Sequence, residues 1–173
     1  INGYDHILID KIKSEKSSNY FHIVYTGLLT KNHPYDTLLK ILKLNFKQTN
    51  LKLSLAGNIS GEIIKEIKTF LPNVKVNDCG YLNHEESVRL IKSADLLVNF
   101  FFIGAEKEMI SGKIMEYLAT EIPILSIGDP KSEAGKILSK GTETKMYQRN
   151  SNKQIENFIN KVILKKGKLT NKF

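Results

Sequence analysis

Short apolar runs alternate with amphipathic stretches along almost the whole of this 173-residue chain. Phe21 to Gly27, Leu51 to Gly57, Val74 to Gly80, Leu96 to Phe102 and Ile122 to Ile127 are short enough, and apolar enough, to read as strands. The run from Leu96 is interrupted only by Asn99 and predicts a strand buried on both faces. Between these runs the spacing changes to that of a helix. Leu38, Leu39, Leu42 and Phe46 share one face of a helix over Pro34 to Phe46, and Pro34 suits its first turn. A helix over Glu62 to Leu71 is stopped by Pro72. Asn83-His-Glu-Glu86 places a capping residue three positions before a glutamate, so a helix starts there and runs to about Ala94. A short helix carries Glu116. Asp129-Pro130 is a turn, Ser132 caps a helix to Leu138, and Thr144 to Tyr147 predicts a last edge strand. Ile155, Phe158, Ile159, Val162 and Ile163 form the apolar stripe of a final helix. Residues 10–19 read as a solvated loop, and no internal repeat is present.

Strands alternating with helices predict an α/β fold: one Rossmann-like domain with a parallel sheet of about six strands and helices on both faces. Ligands of such sheets bind beyond the carboxyl ends of the strands. The loops after Gly27, Gly80, Phe102 and Gly128 are therefore the functional rim.

Composition narrows the class. A hydrophobic content of 41% with 25% charged residues is ordinary for a globular domain. No apolar run approaches the roughly 20 residues of a membrane span. The lone Cys79 cannot form an internal disulfide, which fits a reducing compartment. The net charge of +8 would suit phosphates or an anionic membrane surface, but the plainer reading, a lysine-rich composition from an AT-biased genome, is preferred for the charge as a whole. Nearly all of it is lysine, with Arg89 and Arg149 the only arginines, so specific nucleic-acid reading is not expected.

Missing motifs exclude other classes. No G-x-G-x-x-G follows the first strand and no G-x-x-x-x-G-K-[ST] occurs, which argues against dinucleotide cofactors and P-loop chemistry. Cysteine and histidine lack metal-site spacing. His22 and His84 are expected to be structural; His33 lies in a rim loop with nothing in the sequence to orient it.

The richest stretch is Glu108-Met-Ile-Ser-Gly-Lys-Ile-Met-Glu116, two carboxylates separated by seven residues. A helix starting near Ser111 or Gly112 presents unpaired N–H groups that favour a phosphate, and Lys113 adds charge to the same turn. Each residue has a plainer reading: Glu116 as a solvated helix carboxylate, Glu108 as part of a charged loop in which Glu106 is its rival, and Lys113 as a surface lysine. Gly27 suits close backbone approach to a diphosphate.

With its context, Ser111-Gly-Lys-Ile-Met-Glu116-Tyr-Leu-Ala119 and Ile122-Pro-Ile-Leu125, this segment resembles the E-x7-E region of retaining glycosyltransferases of family 4, which have the GT-B fold. Ile1-Asn-Gly-Tyr-Asp5 is similar to the interdomain junction of those enzymes. His22 to Gly27 resembles the first strand of their donor domain, Val76 to Leu82 their F-x-G-x-V strand, and Leu90 to Val98 their L-Y-x-x-A-D-x-x-V segment.

The resemblance implies that residues 1–173 are the C-terminal, donor-binding domain of a GT-B enzyme, with 1–20 as junction and an N-terminal acceptor domain absent from the chain. It implies transfer of a sugar from a nucleoside-diphosphate sugar to an acceptor glycan or lipid-linked glycan, with retention, in bacterial surface polysaccharide synthesis. This domain alone is expected to be inactive. No cofactor or metal is expected. The implied location is cytoplasmic, with the inner face of the plasma membrane as a peripheral option. Glu116 is assigned to the donor ribose and Glu108, as the catalytic-site carboxylate, to the transferred sugar. Tyr81 and Leu82 follow the strand where the family holds the base, although a core role for Leu82 is equally open.

Two departures stand out. Leu28 replaces the arginine that often follows the first glycine, leaving Lys31, alone or with Lys113, to neutralise the diphosphate. The glycine-rich stretch between the carboxylates is reduced to Gly112. A nucleotide-sugar 2-epimerase of the same fold and a non-catalytic binding module are the alternatives.

Overall fold

The structure is a computed structural model that describes residues 6–102, 104 and 112–170. Its six strands are β1 (Phe21–Thr26), β2 (Leu51–Ala56), β3 (Lys75–Gly80), β4 (Leu96–Phe100), β5 (Ile124–Ile127) and β6 (Thr144–Tyr147). They form one sheet in the order β3-β2-β1-β4-β5-β6, and every pairing is parallel. The order reverses between β1 and β4. Chain connections therefore leave to opposite sides there, and a crevice opens above the strand ends.

Seven helices are described: α1 (His6–Lys11), α2 (Tyr35–Asn45), α3 (Gly61–Phe70), α4 (His84–Lys92), α5 (Gly112–Leu118), α6 (Glu133–Ser139) and α7 (Asn152–Thr170). They cover both faces. Ile23 and Tyr25 of β1, with Leu53 and Leu55 of β2, pack against α2, α3 and α7 through Leu38, Leu42, Ile67, Ile155 and Ile159. Val24 and Leu97 face the other way, onto Ile91 of α4, Ile114 and Tyr117 of α5, and Leu138 of α6. β1 and β4 are thus buried on both sides, which is why their sequences are mostly apolar rather than alternating, with His22, Thr26 and Asn99 as buried polar exceptions.

Local signals act where expected. Asn83 and Glu86 form a reciprocal capping box at the start of α4, and the Ser132 hydroxyl accepts the Gly135 N–H at 3.1 Å. Differences from the sequence reading have physical causes. The stretch read as a loop from residue 10 overlaps α1, which ends at Lys11. Ile9 and Ile12 are buried with Val88, so tertiary packing stabilises a helix too short to form alone. β4 ends at Phe100 rather than Phe102.

Candidate functional site

Three glycines end three neighbouring strands. Gly27 (φ +119°), Gly57 (φ +115°) and Gly80 (φ +61°) all have the left-handed backbone that side chains disfavour. They interlock across the sheet: the Gly27 N–H donates to Ala56 O at 2.8 Å and the Gly57 N–H donates to Gly80 O at 2.7 Å. A Cβ at Gly57 would run into the Gly27 carbonyl. This low rim leaves room above the strand ends for a cavity of about 530 Å³, lined by Gly27, Gly57, Tyr81, Asn99, Lys113 and Glu116 among others. That is an ordinary volume for a small-molecule site.

Lys113 is the central group. It rises from α5 on one side of the sheet, yet its ammonium lies 4.1 Å from the ring centroid of Tyr25, whose side chain belongs to the core on the opposite side. The side chain therefore crosses the end of the sheet, and a Cβ at Gly27 would meet its Nζ at 3.2 Å. Gly27 makes space for the Lys113 side chain at the edge of the cavity. Burial alone pushes the Lys113 ammonium down to about pKa 7. Among the described residues it has no carboxylate partner, so the cavity wall carries a half-buried cation whose compensation is a π face.

Glu116, one turn further on, has only 17% of its side chain exposed and lies 3.5 Å from Nδ1 of His84. Burial raises its carboxyl above the usual range, and His84 opposes that shift. The role expected for His84 was structural; in the fold it also faces a cavity carboxylate.

His33 is oriented, contrary to the sequence reading. Its Nδ1 accepts the Thr30 N–H at 3.1 Å and lies 3.0 Å from the Thr30 hydroxyl. With Nδ1 accepting, the proton resides on Nε2 of a ring that lines the cavity. Burial lowers the His33 pKa.

The other expected residues fall into two groups. Tyr81 and Leu82 line the cavity, Tyr81 as a ring 89% exposed at its mouth. Lys31 does not line it: its ammonium pairs with Glu66 at 2.5 Å and Glu62 at 3.6 Å on α3. The supposed replacement for the missing arginine is thus engaged elsewhere, leaving Lys113 as the lysine lining the cavity among the described residues. Gly112 begins α5. Glu108, its rival Glu106, Ser111 and the Ile1–Asp5 junction motif lie outside the described residues. Gly57 and Asn99 were not singled out as site residues. Gly57 looks like any strand-ending glycine until its neighbour across the sheet is known, whereas Asn99, a polar residue within an apolar strand, was a visible signal.

The fold is the Rossmann-like half of a GT-B architecture. Anabaena HepE, in a crystal structure with UDP and glucose, superposes with a TM-score of 0.67 at 18% identity, over 94% of this chain and 46% of its own. The lipopolysaccharide outer core galactosyltransferase WaaB superposes with a TM-score of 0.62 at 14% identity, over 87% of this chain and 42% of its own. The N-terminal domain of Candida albicans trehalose-6-phosphate phosphatase gives 0.57 at 16% identity, over 84% and 35%. The chain spans less than half the length of each of these structures. No family model and no curated protein matches the sequence.

Proposed function

We propose that this cavity binds a nucleoside-diphosphate sugar, and that the chain is the donor-binding domain of a retaining glycosyltransferase acting in bacterial surface polysaccharide synthesis. The observation that carries this reading is the half-buried Lys113 ammonium in the cavity wall, without a carboxylate partner among the described residues, above three side-chain-free strand ends. An anionic diphosphate supplies the missing counter-charge, and the glycines let it approach the backbone. Glu116 accepts hydrogen bonds from the ribose hydroxyls. Tyr81 and Leu82 flank the base. Glu108 is proposed, from the carboxylate spacing, to meet the transferred sugar. That solved structures of this fold include HepE with UDP and glucose, and WaaB, supports the ligand class.

Catalysis in the whole enzyme would consist of positioning the donor and stabilising the departing diphosphate. The acceptor and the other cleft wall would come from a second domain. No helix among the described residues is long and apolar enough to cross a membrane.

The test is a melting-temperature screen of UDP, GDP, CDP and ADP. At a concentration about 100-fold above Kd the matching nucleotide should stabilise the chain by about 2.7 kcal/mol. Glu116→Gln should weaken binding of that nucleotide and of its sugar conjugate alike, by roughly tenfold or more. Bound donor should not be transferred to added acceptors by this chain alone. If no nucleotide or sugar nucleotide at millimolar concentration shifts the melting temperature, the donor-site reading is wrong.

A further inference from the structure

Beneath the cavity the two central strands separate early. β1 pairs with β2 from Phe21 to Thr26, but with β4 only at Ile23↔Leu96 and Val24↔Leu97. On either side of that short ladder, the β1 amides go to side chains. The His22 N–H donates to the Asp95 carboxylate at 2.8 Å. The Thr26 N–H donates to the Tyr117 hydroxyl at 2.9 Å, and the Thr26 hydroxyl lies 3.1 Å from the same oxygen. Tyr117 is completely buried in the core beneath α5. A hydroxyl there must find a partner, and the partner it takes is a sheet amide.

Two consequences follow from helical spacing. Tyr117 and Lys113 are four residues apart, one above the other on the same side of α5. A hydrogen bond at Tyr117 therefore sets the height and rotation of the turn that sends Lys113 across the sheet. The same bond holds the strand end that carries Gly27, against which the Lys113 side chain packs.

We propose that Tyr117 is a positioning residue for the cavity: its hydroxyl takes the Thr26 amide away from β4, keeps the two strands apart at the ligand crevice, and fixes α5 to the end of β1. A phenylalanine would fill nearly the same volume and leave the Thr26 N–H buried without a partner. The strand end and α5 would then relax independently, displacing Gly27 relative to Lys113. Where ligand affinity is the readout, this inference rests on the nucleotide reading above.

The experiment compares Tyr117→Phe with Ile114→Val, which trims the same helix in the core but touches no polar group. UDP and UDP-glucose are titrated calorimetrically into each, and amide exchange is followed by NMR without ligand. Tyr117→Phe is expected to lose about tenfold in affinity and to exchange Thr26 and Gly27 faster than wild type, with the distant β2–β3 amides unchanged. Ile114→Val, even with a comparable fall in melting temperature, should bind within about twofold of wild type. Equal affinity losses in the two variants, or wild-type affinity in Tyr117→Phe, would overturn the proposal. If wild type binds neither nucleotide, the donor-site reading fails for these ligands and the exchange data decide the positioning role: unchanged exchange at Thr26 and Gly27 refutes it.

Discussion

Lys113 shows how a single residue's setting determines its chemistry. In sequence it is one lysine among many; in the fold it is half-buried beside the Tyr25 ring, and burial brings its pKa down from 10.5 to about 7. The sign of the linkage is definite. The folded pKa lies below the unfolded one, so between about pH 7 and 10.5 the unfolded chain binds more protons, and this group's destabilising effect diminishes as pH rises. It is present in full below about pH 7. Lys113→Met should therefore be more stable than wild type at about pH 6, with an advantage that shrinks by about pH 9, as read by urea denaturation. A bound diphosphate favours the charged form, so wild-type affinity for UDP-glucose should fall as pH rises from about 7 to about 8.5. The limit is about tenfold per unit. Isothermal titration in buffers of different ionisation enthalpy would register the proton taken up. A pH-independent affinity, or an unchanged slope in Lys113→Met, would contradict this account.

At the scale of elements, the interlocked strand ends couple pocket shape to sheet stability. Gly57 combines a φ of +115° with a carbonyl lying where a Cβ would go. Its N–H also holds the end of β3 through Gly80. Gly57→Ala should thus cost about 1–3 kcal/mol or more in folding stability, and should also weaken nucleotide binding, because relief of the clash moves Gly27. Gly61→Ala is the control, since open space surrounds its Cβ position within helix α3. Denaturation midpoints should separate the two variants clearly. If Gly57→Ala is as stable as Gly61→Ala, the strand ends are not mechanically coupled as described.

Across the whole molecule, the end of the sheet opposite the cavity is fastened by an ion pair. Lys166 of α7 donates to Asp95 at 2.5 Å and to the carbonyls of Ser17 and Tyr20 at 2.7 and 2.6 Å. Only 5% of the Asp95 side chain and 18% of the Lys166 side chain are exposed. The last helix is thereby tied to the segment entering β1 and to the start of β4. Removing one member strands the other, so Lys166→Met should destabilise by about 3–5 kcal/mol. Adding Asp95→Asn to Lys166→Met should recover part of that loss. A cost for Lys166→Met no larger than that of an exposed pair, below about 1 kcal/mol, would show that this fastening contributes little.

Much of this architecture was written in local pattern. Continuous apolar runs between helical stripes identify doubly covered parallel strands, because burial on both faces removes alternation. Asn83 with Glu86, and Ser132, mark helix starts by satisfying the first free N–H groups. The glycine-ended strands pointed to the rim, and the stretch from Glu108 to Glu116 pointed to α5, whose Lys113 and Glu116 line the cavity, because both are short-range features. What depended on distant partners was not legible. Lys31 and Lys113 are equivalent as letters; only packing gives one to the carboxylates of α3 and sets the other beside Tyr25. His33 gains its orientation from a loop conformation, and α1 exists because Val88 lies beneath it. Tyr117 reads as a core aromatic, and only tertiary structure brings its hydroxyl to the amide of Thr26, where the ladder between two strands far apart in the chain ends early.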